Sequence, residues 1–349
     1  MLAMRMMAAR IRGLGAWLRS ARAVPSLAAR PATAVRAPAP VPGAMPAPAA
    51  VTETTALDSA HARACERLWR LAFSAPSQAQ SADSIHRRVR ENIVAKLEVD
   101  ALDPNYFPRR PTLMPQLLQA VNDPNAAAER VSRIIAHDPV LTADVLRMAN
   151  SSLYRMTATP IETIQRAVVV CGADSLRGML AAAMLRPVFR ATRKNFPRLP
   201  RLLWERTERA ARAAELYALE YFPHDRFEAQ MVVLLSALGP LVVYSAALDV
   251  YARNPHFSPS AALCTELIGS LAPAMSLRIA RDWETSPRLQ AALEKSPDEP
   301  LTQALQVGEF LGTLQFLEAH AVISCDQRCE HLDEADIRES ADRIWMGMA

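Results

Sequence analysis

The sequence predicts an all-α protein, and three observations carry that reading. Only ten glycines stand among abundant Ala, Leu, Arg and Glu, residues that lose little on entering a helix. Apolar residues recur at steps of three and four, bounded by capping residues and prolines. No long stretch alternates β-branched with polar residues, as a half-buried strand would. Half of the 349 residues are hydrophobic, enough to bury a sizeable core in one or two domains.

The chain opens on a basic segment. Residues 1–52 hold seven arginines (Arg5, Arg10, Arg12, Arg19, Arg22, Arg30, Arg36) and no acid, so setting them aside takes the formal charge from +4 to −3 for residues 53–349. The basic character belongs to the tail, and the body gives no reason to expect a nucleic-acid partner. Residues 1–20 mix Leu2, Ile11, Leu14 and Trp17 with arginines, a pattern that would permit peripheral membrane contact as a short amphipathic helix. Arg10 and Arg12 interrupt the apolar centre a signal peptide needs. Residues 23–52 are rich in Ala, Pro and Val and read as an extended linker, so 1–52 is expected to be a disordered tail.

Residues 53–110 are expected to form a helical extension. Asp58 to Phe73 places Leu68, Leu71 and Ala72 on one face, and Ser84 to Val99 places Ile85, Val89, Ile93 and Leu97 at four-residue steps. The cluster His86-Arg87-Arg88-Val89-Arg90 reads as a solvated face of the second helix. Pro108 and Pro111 then deliver the chain to a main domain at 111–320, which a C-terminal helical extension at 321–349 follows.

Within that domain Leu113-Met114-Pro115 starts a helix through Val121, and Ala126 to Ile135 forms the next. Asp138-Pro139 has the form of an N-cap followed by proline at the first helical position, with Val140, Leu141, Val145, Met148 and Ala149 on one face and Asn150-Ser151 at the end. Ile161 to Cys171 closes at Gly172, and Leu176, Leu180 and Leu185 carry the next face. Pro187 to Pro200 reads as a connector, Leu202 to Tyr221 as a long helix, and Met231 to Leu248 as a buried core helix kinked or ended at Pro240. That uncharged run is long enough to span a membrane, but Gly239-Pro240 interrupts it and no flanking Lys or Arg orients it. Leu301 to Ala321 closes the bundle, and Ile337 to Met348 is a final amphipathic turn or two.

The order Leu113-Met114-Pro115, Asp138-Pro139, Asn150-Ser151, Cys171-Gly172 and Leu176-Arg177 resembles the HDOD domain, an all-helical family related to the HD phosphohydrolases. Three further points extend the likeness as far as Ala304. Trp204-Glu205-Arg206-Thr207 occupies the place of the family's Trp-x-His-Ser, and Leu234-Leu235-Ser236-Ala237-Leu238-Gly239 that of the HD proteins' Leu-Leu-His-Asp-Ile-Gly. Ile268-Gly269, then Leu271 and Met275, then Trp283 loosely resemble the family's Gly-x-x-Leu followed by Trp, with Leu271 one position nearer the glycine.

The resemblance implies a cleft that has lost its metal. Arg206 stands where the first histidine of an HD hydrolase would be, and Ser236-Ala237 replaces the His-Asp pair. Arginine repels a divalent cation and alanine has no donor atom, so neither a metal nor another cofactor is expected. Two literal His-Asp dipeptides, His137-Asp138 and His224-Asp225, have plainer readings as a helix cap and an interhelical loop. Cys325-x3-Cys329-x-His331 is half of a zinc pattern without a second half, and Cys171 and Cys264 suit small core positions. Five scattered cysteines fit a reducing cytoplasm. No glycine-rich phosphate loop or Gly-x-Ser-x-Gly elbow is present.

The resemblance therefore implies a non-enzymatic bacterial signal-transduction protein acting on protein partners. Arg206 reads either as an ion-pair partner of a neighbouring acid or as the anchor of a small anionic ligand. The alternatives are a sensor of nucleotide second messengers and a residual metal-dependent phosphohydrolase.

Overall fold

A computed structural model describes residues 53–73, 83–98, 106–119, 132, 135, 138–155, 157–189, 198–253 and 260–348. These lie in one compact unit, Gly43–Ala349, whose described residues form helices and turns and no strand. The expected tail at 1–52, with the segment 1–20 for which peripheral membrane contact is expected to be possible, most of the expected helix at 126–135, and His137 lie outside the described residues.

Two helices precede the main domain: α1 (Glu53–Ala72) and α2 (Asp83–Leu97). Then come α3 (Met114–Gln119), α4 (Pro139–Ala149), α5 (Ile164–Cys171) and α6 (Ala173–Phe189). The body continues with α7 (Arg198–Tyr221), a 3₁₀ turn at Pro223–Asp225, α8 (Arg226–Ser236), α9 (Leu238–Ala252), α10 (Ala261–Asp282), α11 (Pro287–Leu293) and α12 (Pro300–Ala319). Helices α13 (Cys325–Glu334) and α14 (Arg338–Met348) complete the chain.

The caps form as the sequence predicts. The Asp138 side chain accepts from the backbone N–H of Val140 and Leu141 at 2.8 and 3.2 Å, with Pro139 in the first turn. Asn150 goes further than ending α4. Its amide donates to the carbonyls of Leu146 and Ile161, both at 2.8 Å, and its oxygen accepts from Ile161 N–H at 2.7 Å, so it clamps the approach to α5 against α4. The Ser151 hydroxyl donates to Met148 at 2.7 Å. Gly172 ends α5 at φ 84°, where a side chain would be strained.

Several boundaries differ from expectation: α1 begins at Glu53, not Asp58, α5 begins at Ile164, not Ile161, and two more have their cause in a proline. Helix α7 starts at Arg198, not Leu202, because Pro200 falls within the first turn, where its missing N–H is not needed. The core run breaks at Ala237, ahead of Gly239-Pro240, and Pro240 sits in the first turn of α9. A proline there cannot donate to the Ser236 carbonyl four residues back; the Ser276 hydroxyl of α10 does so instead, at 2.8 Å, and accepts from Gly239 N–H at 3.1 Å. Gly239 is required for this approach, since a Cβ would stand 2.1 Å from the Ala272 carbonyl oxygen.

The helical stretch Pro223–Ala252 is long and apolar enough to cross a membrane, as is Ala261–Asp282, but 83% of the most apolar part of the first is buried inside the protein. It is core, as predicted. The centre of the molecule is the pair α7 and α12, the most extensively packed helices of the fold. Small residues permit the contact: a Cβ on Gly312 would stand 2.4 Å from the Ala210 backbone, and one on Gly308 2.8 Å from the Ala210 carbonyl. Helix α1 lies across α12 and also touches α7, α10 and α13.

Candidate functional site

The position at which the HD resemblance places a metal is built by four helices. Helix α7 carries Arg206, the end of α8 carries Ser236, α12 carries Glu309 and Thr313, and α1 carries His61 and Cys65. Arg206 is 6% exposed although an arginine is costly to bury unpaired. Its Nε donates to Thr313 Oγ1 at 3.0 Å, and the Thr313 hydroxyl donates on to the Glu309 carbonyl at 2.6 Å. Its Nη1 lies 3.5 Å from Glu309 Oε1, and its Nη2 is 3.3 Å from both the Glu309 carbonyl oxygen and His61 Nε2.

Glu309 is the hub. The Ser236 hydroxyl donates to its Oε1 at 2.7 Å, so Arg206 and Ser236, the residues standing for the first histidine and the histidine of the pair, meet on one carboxylate. Burial by itself would raise the Glu309 carboxyl, but Arg206, His61 and the Ser236 hydroxyl outweigh it and hold the group below the usual carboxylate range. The site is thus an internally neutralised ion pair.

One turn of α1 completes the cluster. His61 Nε2 is 3.1 Å from Cys65 Sγ, and the imidazole sits edge-on to Phe310 with ring centroids 6.3 Å apart. Burial works against ionisation of the Cys65 thiol, yet His61 and Arg206 outweigh it and lower the thiol below its ordinary range despite the opposing charge of Glu309. Exposed ion pairs link α1 to its neighbours, from Arg63 to Glu334 of α13 (2.5 Å) and from Lys295, just after α11, to Asp58 (3.4 Å).

The residues present do not suit a divalent metal. Arg206 places a fixed cation against the one carboxylate, Ala237 is a buried methyl, and among the described residues no three His, Cys, Asp or Glu side chains are grouped to hold an ion. Asp225 of the second His-Asp dipeptide is taken by Arg288, at 2.9 and 2.7 Å, and Asp138 by its cap. In the Cys325 cluster, Arg328 donates to Cys325 Sγ at 3.1 Å, and His331 is buried, its imidazole lowered by burial and by the nearby Arg67.

The remaining sequence-marked residues are structural. Trp204 is buried against Phe189, ring centroids 5.0 Å apart, and Trp283 is buried at the end of α10, its carbonyl accepting from Arg110 at 2.8 Å. Sequence reasoning missed His61, Cys65, Glu309 and Thr313. The signals for them were the i, i+4 pair His61/Cys65 and the Gly308-Glu309-x-x-Gly312-Thr313 spacing, which puts two glycines on one helix face and carries Glu309 and Thr313 beside them.

The HDOD domain pattern matches residues 107–298, more than half of the chain. Among solved structures, a Shewanella amazonensis SB2B protein provisionally named a metal-dependent phosphohydrolase is 18% identical, with a TM-score of 0.51 over 76% of this chain and 100% of its own. A second protein from the same organism, provisionally named a phosphohydrolase, is 22% identical with a TM-score of 0.49, over 74% of this chain and 96% of its own. An HDOD domain protein of unknown function from Geobacter sulfurreducens is 20% identical with a TM-score of 0.47, over 68% of this chain and 78% of its own. No curated protein matches the sequence.

Proposed function

Because this chain belongs to the HDOD domain family, we propose that it is a non-enzymatic regulatory protein, working through contacts with a protein partner in a signalling pathway. The observation that supports the reading is the Arg206–Glu309 pair at 3.5 Å, at the position where the resemblance to HD hydrolases would put a metal ligand. An HD-type hydrolase needs a dication to acidify a water and polarise a phosphate. Here a guanidinium supplies the positive charge, but it cannot take an oxygen ligand into a coordination sphere or acidify a bound water, and its charge is already spent on Glu309.

A nucleotide sensor at Arg206 is the weaker reading, because a ligand phosphate would have to draw the guanidinium away from Glu309, Thr313 and His61. The net charge of −3 on residues 53–349 argues against a nucleic-acid partner, and five free thiols suit the cytoplasm. The test is turnover by the full chain of bis-p-nitrophenyl phosphate and of cyclic dinucleotides with Mn²⁺ or Mg²⁺. The expected result is a rate equal to the protein-free blank. Turnover that falls tenfold or more in Glu309→Gln would contradict the proposal.

A further inference from the structure

Cys65 differs from the other four cysteines. Cys171 and Cys264 are buried thiols raised by desolvation, Cys264 to about 12. Cys325 and Cys329 lie on α13, where Arg328 donates to Cys325 Sγ at 3.1 Å. Cys65 is only partly covered, and it has a base at 3.1 Å in His61 and, beyond it, the Arg206 cation 3.3 Å from the same imidazole nitrogen. The charged groups that face it are His61 of its own helix, Arg206 of α7 and Glu309 of α12. Two of the three favour a thiolate. A base within hydrogen-bond reach of a partly accessible thiol is the arrangement of an activated nucleophile.

We propose that Cys65 is a modification site: a thiol, activated by His61 at the junction of the N-terminal helix with the Arg206 cleft, that reacts with hydroperoxides. In the step, His61 Nε2 takes the thiol proton, leaving a thiolate. The sulfur attacks one peroxide oxygen; an S–O bond forms as the O–O bond breaks, and the departing hydroxide takes the proton from His61 and leaves as water. Sulfur is oxidised by two electrons to sulfenic acid and the peroxide is reduced by two. The product has lost its negative charge and gained an oxygen beside His61, which itself touches Arg206. None of this depends on whether the cleft turns over phosphate.

The experiment uses the full chain. Iodoacetamide labelling of each cysteine is followed by peptide mass spectrometry between pH 6.5 and 9, and hydrogen peroxide with dimedone then traps sulfenic acid. An ordinary thiol slows roughly a hundredfold over that fall in pH, following its thiolate fraction. Cys65 should slow less than about tenfold and should carry the dimedone adduct, and His61→Gln should return it to the ordinary profile. An ordinary profile for Cys65 in the unsubstituted protein, or no adduct after peroxide, overturns the proposal without recourse to any variant. So does an unchanged profile in a folded His61→Gln protein.

Discussion

Charged residues in this protein fall into two energetic classes, and Arg206 and Arg90 represent them. The Arg206 and Glu309 side chains are 7% and 22% exposed, whereas those of Arg90 and Glu266, also paired, are 46% and 51% exposed. Removing one partner of the first pair strands a charge away from water; removing one of the second leaves both ends solvated. Glu309→Gln is therefore expected to destabilise by about 3 kcal/mol, and Arg90→Ala by about 0.5 kcal/mol or less, both read by urea unfolding. Equal effects would remove Glu309 from the centre of the site. At this scale the sequence was half legible. The position of Arg206 and Ser236 followed from motif order, because local motifs keep their spacing. Their shared partner did not, because Glu309 comes from a helix about a hundred residues downstream of Arg206, and nothing local says which helices meet.

At the scale of elements, glycine decides where helices come close. Gly239 touches the backbone of α10, where a Cβ would meet the Ala272 carbonyl oxygen at 2.1 Å; Gly269, within α10, has nothing within 4 Å of its Cβ position. The same substitution should act in opposite directions at the two sites. Gly239→Ala forces α9 and α10 apart and is expected to cost about 2 kcal/mol. Gly269→Ala removes backbone freedom from an exposed helical position and should stabilise by about 1 kcal/mol. Thermal unfolding reads both signs, and a stabilising Gly239→Ala would sink the packing argument. The sequence marked Gly239-Pro240 as a break in the core run, correctly in kind. It put the break at Pro240 because proline is the visible disruptor, whereas the missing donor is felt four residues earlier, at the Ser236 carbonyl. The same logic moved the start of α7: a proline in a first turn reads like a connector until the turn around it is seen.

Across the whole molecule, the two N-terminal helices are integral to the packed body. Helix α2 is tied to α9 through Asp249, which accepts from Lys96 and from Tyr106, each at 2.7 Å. Those bonds, that of Lys96 above all, hold the Asp249 carboxyl down to about 2. A carboxylate whose pKa is depressed by folding adds stability above its unfolded pKa near 4 and gives it up as pH falls towards the folded value. The stability difference between the unsubstituted protein and Asp249→Asn should thus be full at pH 7 and shrink between about pH 4 and pH 2; urea midpoints at pH 7, 4 and 2.5 measure it, and a difference that grows as pH falls would contradict the assignment. Sequence periodicity showed that α1 and α2 are amphipathic and hence packed on one side. It could not show against what, since an apolar stripe is non-directional, and so α1 read as an extension when it supplies two side chains to the cleft.

Arg206 supplies the cation of the site and Glu309 neutralises it from within. Calorimetric titration of Mn²⁺ into the metal-stripped full chain tests that most directly. The expected trace shows no saturable binding. One-site binding that Glu309→Gln or His61→Gln abolishes would mean that these side chains hold a metal after all.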